Sequence, residues 1–258
     1  MSFDTDAING FMRRKTGDFE FNPIQNPNRS LARVAGVFYL VMIVCGMAAQ
    51  VIRGSLIVPG NAVATASNII ASESLFRIAF VSDLLMATVF LLFAWALYVL
   101  LKPVNKNTAL LFVLLATASV AILSLNLLNQ FAILILLSDA GFLSAFGATQ
   151  LHALVMLFAD LQYYGYYIAQ ISFGLWLVPL GYLAMKSGFL PRILAMLLII
   201  AAFGHLSGSF AAFLLPGLES VADLAAALEI PFGLWLLVKG VKAPGMQVKN
   251  PDCQAAIS

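Results

Sequence analysis

Seven polar or ionisable residues interrupt long apolar runs in this 258-residue chain and are its best candidates for chemistry. Acids and imidazoles at such positions bind and release protons, while amides hydrogen-bond a ligand or a neighbouring helix. We predict that the seven residues form a ligand-binding site, with no catalytic residue and no metal ligand among them. They are Asp83, Asn126, Asn129, Gln130, Gln170, His205 and Glu229.

The spacing around four of these residues predicts that they face one another inside a bundle of membrane helices. Asp83, Gln170, His205 and Glu229 each share a helical face with Ala, Gly or Ser residues, and small residues mark the faces where membrane helices pack closely. At a rise of about 1.5 Å per residue, all four lie in the outer half or the middle of the bilayer. We expect a polar pocket that opens toward the outer side and is sealed on the cytoplasmic side by Leu, Phe and Trp. Its rim is expected to include Asp160, His152, Glu219 and Asp223.

Asp83 and Glu229 are stronger evidence for a ligand-binding pocket than the Asn and Gln residues, because amides also serve simply to hold membrane helices together. Pro231 follows Glu229 closely and has no N–H to donate to the carbonyl of Ala227. The helix is therefore expected to loosen beside Glu229 and to expose backbone oxygen next to its carboxyl group.

Three functions are compatible with these residues. The first is an integral membrane protein that binds a small or lipid-like ligand, or a partner protein, without turnover. The second is a proton-coupled or facilitative transporter of a small solute, with Glu229 or Asp83 as the titrating group. The third is a metal-dependent intramembrane hydrolase that holds its metal with His205, Asp83 and Glu229, and with His152. We favour the first and predict no cofactor, because the sequence has no H-E-x-x-H or other paired-histidine spacing and no nucleotide motif.

The composition indicates the elements that position these residues. Hydrophobic residues make up 62% of the chain and charged residues 10%, whereas soluble domains are about half apolar and a quarter charged. A span needs about 20 mainly apolar residues to cross roughly 30 Å of hydrocarbon. Six stretches meet this length, at 33–52, 76–101, 108–137, 163–185, 192–215 and 219–238.

The placement of charge predicts the orientation of the six spans. We expect an all-α, six-helix bundle in the bacterial inner membrane, with cytoplasmic tails at 1–30 and 243–258 and a transmembrane domain at 31–242. Only Arg53 and Arg77 then lie outside, as the positive-inside rule requires. A net charge of +2 and scattered cations exclude a nucleic-acid partner. The twelve cytoplasmic cations are Arg13, Arg14, Lys15, Arg29, Arg33, Lys102, Lys106, Lys186, Arg192, Lys239, Lys242 and Lys249.

A short interfacial helix is expected on the outer side, before the fourth span. Leu151, Leu154, Val155 and Phe158 follow helical spacing, but the apolar segment at 151–159 is too short to cross the bilayer. A seventh span would also place the basic residues that follow the last span outside. The segment is therefore predicted to lie flat at the membrane surface.

Short motifs along most of the chain also resemble one family. They are Arg33, Gly36 and Tyr39-Leu40 in the first span, Arg77 with Asp83 in the second, Gly181-Tyr182-Leu183 with Leu190-Pro191-Arg192 around the fourth and fifth, and Glu229 with Leu234-Trp235-Leu236-Leu237-Val238-Lys239-Gly240 at the end. From Arg33 to Gly240 the chain resembles an uncharacterised bacterial membrane family catalogued as domain of unknown function 4386. The resemblance implies a multi-pass helical architecture and supplies no catalytic residues.

Overall fold

The computed structural model describes residues 29–138, 140–188, 190–215 and 221–240, and every regular element in these ranges is helical. Most of the predicted N-terminal tail, all of the predicted C-terminal tail, Glu219 and the side chain of Asp223 lie outside this description. A 3₁₀ turn at Gly141–Ala145 separates α4 from α5. The α-helices are α1 Arg29–Leu56, α2 Ala62–Ala71, α3 Glu73–Leu101, α4 Lys106–Leu136, α5 Ala148–Ser187, α6 Arg192–Leu214, α7 Val221–Ala227 and α8 Ile230–Val238.

Five of the predicted spans are single helices that are long and apolar enough to cross a membrane, namely α1, α3, α4, α5 and α6. The side chain of Asn105 caps α4 by accepting a 3.0 Å hydrogen bond from the backbone N–H of Thr108. Gly188 ends α5 with φ of 64°, a left-handed conformation that glycine adopts without a steric penalty. These tight turns make α3 and α4, and α5 and α6, antiparallel neighbours. The helices indicate a multi-pass membrane protein.

The sixth predicted segment is helical but broken in the middle. Helix α7 ends at Ala227, and α8 begins at Ile230 with Glu229 as its N-cap residue. The break follows from Pro231, which cannot donate to the carbonyl of Ala227, and the predicted loosening beside Glu229 is confirmed. Because α7 and α8 have only 7 and 9 residues, the count of six passes stays a prediction.

The predicted interfacial helix is wrong, because residues 151–158 are the first turns of α5. This helix has 40 residues, so at about 1.5 Å per residue it is about 60 Å long, twice the hydrocarbon thickness. Nothing between Ala148 and Lys186 stops the helix, and Pro179 lies inside it. Val155 and Ala159 are buried in protein, so the helical spacing that includes Val155 reflects packing within the bundle, which explains why it misled the prediction.

A short helix does occur on this side of the bundle, but it is α2. The amide oxygen of Asn61 caps it by accepting a 3.0 Å bond from the N–H of Ala64. Ala66 and Ile69 of α2 share an apolar cluster with Phe76, at the start of α3, and with Val155 of α5. The helix therefore packs against the extended part of α5.

One end of the bundle carries most of the described cations. A Cβ built on Gly240, just after α8, would lie 3.5 Å from the carbonyl oxygen of Arg29, at the start of α1. The starts of α4 and α6 and the ends of α3 and α5 lie at this same end of the bundle. We call this the basic end. It is defined by Arg29, Arg33, Lys102, Lys106, Lys186, Arg192 and Lys239, all of which are exposed.

An aromatic layer fills the bundle between its middle and the basic end. The indole ring of Trp176 packs against the rings of Phe90, Phe93 and Phe112, with centroids 5.3, 6.3 and 5.6 Å apart. Phe93 also contacts Tyr39, at 5.0 Å between ring centroids. The layer therefore closes the bundle directly beside Tyr39.

Candidate functional site

A buried chain of four polar side chains crosses the middle of the bundle. The imidazole Nδ1 of His205 lies 2.5 Å from Oε1 of Gln170, and its Nε2 lies 2.6 Å from Oε1 of Glu229. The hydroxyl of Tyr39 donates to the second oxygen of Glu229 over 2.7 Å. His205 is 5% exposed and Glu229 8%. We call these four residues the histidine–glutamate relay.

The helices bring these residues together for identifiable reasons. The tight turn between α5 and α6 places Gln170 opposite His205, and the hydroxyl of Ser209 is satisfied by the carbonyl of His205 and does not compete for the ring. The break between α7 and α8 frees Glu229 to approach the imidazole. Gly233 lets the ring of Tyr39 come close, because a Cβ at this position would lie 2.2 Å from Cδ1 of Tyr39.

The geometry limits where protons sit in the relay. With Oε1 of Gln170 facing the ring, Nδ1 of His205 donates a hydrogen to it, because a carboxamide oxygen can only accept. The 2.6 Å contact between Nε2 and Glu229 then holds a second proton, either on the imidazolium or on the carboxyl group. Without that proton, a nitrogen lone pair would face a carboxylate oxygen. Proton loss must therefore either break this contact or turn the Gln170 carboxamide over, so that its NH₂ donates to Nδ1 and the neutral ring donates Nε2–H to Glu229.

A second polar group lies toward the opposite end. The guanidinium of Arg53 forms an ion pair with Asp83 and bonds Oε1 of Gln130 at 3.4 Å and Oε1 of Gln50 at 3.2 Å. Arg53 and Asp83 are 6% and 3% exposed. The sequence placed Arg53 in an outer loop, but it belongs to the last turn of α1, where the buried ion pair with Asp83 accommodates its charge.

A third group joins α4 to α5. The amide of Asn126 donates to the backbone carbonyl of Gln162 over 2.9 Å and accepts from the amide of Asn129 over 3.0 Å. Gly165 provides the room, since a Cβ there would lie 2.1 Å from Oδ1 of Asn126. These contacts are those of interhelical packing.

The seven predicted residues therefore do not form one hydrogen-bonded cluster. Tyr39 of the relay and Arg53 are 14 residues apart on α1, so the relay and the Asp83 group lie about 21 Å apart along this helix. The expectation of a single convergent pocket is wrong, because the helices carry these residues at different heights. Gln170, His205 and Glu229 meet in the relay, Asp83 and Gln130 meet at Arg53, and Asn126 meets Asn129.

The same spacing separates the residues considered for a metal. His152 lies 18 residues before Gln170 on α5, which corresponds to about 27 Å along the helix from the residue that contacts His205. Within the described ranges, no three His, Cys, Asp or Glu side chains come together as a ligand set. The proposed combination of His205, Asp83 and Glu229 is therefore not assembled.

Two pockets lie away from the predicted residues. One of about 350 Å³ lies on the extended part of α5 and includes Phe146, Leu154 and Leu157. The other, of about 230 Å³, is lined by Ile69, Ile70, Glu73, Leu134, Leu137 and Ser138. None of the seven predicted residues lines either pocket.

Sequence reasoning missed two participants, Tyr39 and Arg53. Tyr39 entered only as part of a family motif, and Arg53 only as a topology signal. A usable signal existed for each. Tyr39 lies on the same helical face as Ala32, Ala35 and Met42, and all four are buried. Arg53 directly continues an apolar span, where a cation needs an acidic partner.

Comparisons with known proteins identify the family of this chain. The chain is 29% identical over 149 residues to an "Uncharacterized protein" of the archaeon Archaeoglobus fulgidus, and the match covers 58% of this chain and 75% of the relative. No solved structure matches the chain significantly. The model of the family described as domain of unknown function DUF4386 matches residues 34–240. The chain therefore belongs to the DUF4386 family.

Proposed function

We propose that this protein couples the binding and release of a proton to the movement of a small solute across the membrane, with Glu229 and His205 as the proton-binding pair. The observation that carries the proposal is the buried relay at a helix break. Ionisable chains inside membrane proteins mark proton and substrate pathways, and broken helices mark the binding sites of many transporters.

The relay supports a two-state mechanism. With its shared proton, the pair of His205 and Glu229 holds α6 against the break between α7 and α8. In the proposed mechanism, loss of this proton separates the two groups, and the short helices on either side of the break then move independently. Asp83 differs because its partner is Arg53, which does not lose its proton in proteins. We therefore assign the titrating role to Glu229 and not to Asp83.

The surroundings of the relay give the proposal a direction. The aromatic layer at Trp176 and Phe93 closes the side toward the basic end, so solute access in this state is from the opposite end. As part of the proposal, the basic end faces the bacterial cytoplasm, both termini are cytoplasmic, and the last broken segment makes a sixth pass. The positive-inside rule supports this orientation, because the basic end carries seven exposed cations.

Two alternative functions have less support. Binding of a lipid-like ligand without turnover rested on one outward-facing pocket, and its residues are divided among three groups. A metal-dependent hydrolase required Asp83 beside His205, and Asp83 instead pairs with Arg53. The relay favours transport over both, because a shared proton explains why an acid and an imidazole are buried in contact.

Infrared difference spectroscopy tests the proton-binding step without knowledge of the solute. We expect the carboxyl bands of the reconstituted protein that change when the pH is shifted to include one from Glu229, and we expect this one component to be missing in Glu229→Gln. Glu73→Gln is the matched control, because Glu73 lies at an exposed helix start and pairs with Arg77. A pH response that is the same in all three proteins contradicts the assignment of Glu229.

Proteoliposomes loaded with the pH indicator pyranine test the coupling. Amino acids, sugars and small carboxylates are added outside, one class at a time, with equal pH on both sides. We expect one class to acidify or alkalinise the lumen in the wild type and in Glu73→Gln but not in Glu229→Gln. Solute-driven proton movement that persists in Glu229→Gln, or is absent from the wild type with all three classes, contradicts the proposal.

A further inference from the structure

We propose that the basic end is a binding surface for anionic phospholipids, with phosphatidylglycerol-type headgroups held between lysines that lie over aromatic rings. This inference concerns a different part of the molecule from the relay and does not depend on the proposed transport. It rests on three features of the described residues: the uncompensated charge, the placement of the charges at the border of the apolar surface, and three matching Lys–aromatic pairs.

The charge at the basic end is not neutralised by described acids. Its seven cations are exposed, and none of them forms an ion pair with an acidic side chain in the part of the chain that the structure describes. At the opposite end, by contrast, Arg53 pairs with Asp83 and Arg77 with Glu73. Among the described residues, the two ends therefore differ in net charge and not only in the number of cations.

The cations lie where lipid headgroups would meet the bundle. Exposed apolar side chains come right up to them: Val238 is 66% exposed next to Lys239, and Ile193 is 65% exposed next to Arg192. Such side chains are expected against lipid tails, and long basic side chains beside them reach the interface. A phosphate group at this depth would contact the ammonium groups directly.

Three lysines have a common arrangement that pre-positions their charge. The ammonium group of Lys239 lies 4.4 Å from the centroid of the Trp235 ring, and that of Lys186 lies 5.3 Å from the Tyr182 ring. Lys102 lies over Tyr98 at 5.9 Å. Each lysine is four residues after its ring at the end of a different helix. Aromatic rings at the interface restrict these side chains, which lowers the entropy lost on binding an anion.

If these cations served only to orient the protein in the membrane, they would not need to distinguish one lipid headgroup from another. Lipid selectivity therefore tests the proposal. Native mass spectrometry of the full-length protein in a neutral detergent would compare phosphatidylglycerol with phosphatidylcholine of identical acyl chains. We expect the wild type to prefer phosphatidylglycerol. A basic residue near an anionic surface contributes about a fivefold change in affinity, so the triple variant Lys102→Gln/Lys186→Gln/Lys239→Gln should lose at least tenfold of the preference.

Matched measurements separate the outcomes. Arg77→Gln removes one cation at the opposite end and should keep the wild-type preference.

Inorganic phosphate should not raise the thermal stability of the wild type as phosphatidylglycerol does. Equal protection by both would indicate a free-anion site and overturn the lipid proposal. If the triple variant does not fold, wild-type protein in about 1 M salt gives the test, since charges are then screened within about 3 Å. Equal binding of the two lipids, or a preference that survives the triple variant or the high salt, overturns the proposal.

Discussion

The contact between His205 and Glu229 can be tested by a double-mutant cycle. The variants are His205→Leu, Glu229→Leu and the double variant. Each single change leaves a buried polar partner without its 2.6 Å contact, while the double change leaves two apolar side chains. If the pair shares a proton as described, the sum of the unfolding free energies lost in the two single variants must exceed the unfolding free energy lost in the double variant.

The size of this coupling distinguishes a proton-sharing pair from ordinary packing. Hydrogen bonds between membrane helices average about 0.6 kcal/mol and reach about 1.7 kcal/mol, whereas bonds to charged groups contribute about 1.5–3 kcal/mol. Removing one partner of a buried pair costs about 3–5 kcal/mol. Both residues are more than nine-tenths buried, so solvent screens them little. We expect a coupling energy of about 2–3 kcal/mol.

The measurement is reversible unfolding in mixed micelles with increasing SDS, followed by helical circular dichroism. Glu229→Leu combined with Arg77→Gln is the control cycle, because Arg77 is an exposed residue at the far start of α3. That pair should be additive within about 0.5 kcal/mol. A His205–Glu229 coupling below about 1.7 kcal/mol would place the contact within the range of neutral interhelical bonds and would refute the proton-sharing assignment.

Three further predictions use the same unfolding assay, and the last of them adds the proteoliposome flux assay. Gly36→Ala should lower the unfolding free energy by about 1–3 kcal/mol, because its Cβ would lie 2.5 Å from a backbone nitrogen of α8. Gly54 has open space around it, so Gly54→Ala should not destabilise the protein. Equal effects of the two changes would contradict the packing argument. Arg53→Gln should cost about 3–5 kcal/mol by leaving a buried carboxylate unpaired, against less than about 1 kcal/mol for Arg77→Gln in its exposed pair; similar losses would contradict the buried ion pair. Pro231→Ala restores an N–H at the break and should raise stability by about 1 kcal/mol while it slows proton-coupled flux, and unchanged flux would show that the break is not needed for transport.

The sequence by itself determined the membrane class, the presence of the five long helices, the approximate bounds of four of them and the position of the break. Helix formation depends on local hydrogen bonds and on apolar length, so the predicted spans agree with α1, α3, α4 and α6 to within a few residues. The break beside Glu229 was predictable because the missing N–H of Pro231 is a property of that residue alone. The burial of Asp83, Gln170, His205 and Glu229 followed from their shared faces with small residues.

Only the tertiary structure decided which of these buried groups meet. Tyr39 and Glu229 are separated by 190 residues, and Arg53 and Asp83 by 30. Helical spacing gives the face that a residue occupies, but it does not give the height at which one helix packs against another, since close approaches such as Gly36 against α8 fix that height. The uninterrupted length of α5 was likewise decided by packing, because its first turns bury Val155 in an apolar cluster with Ile69 of α2 and Phe76 of α3.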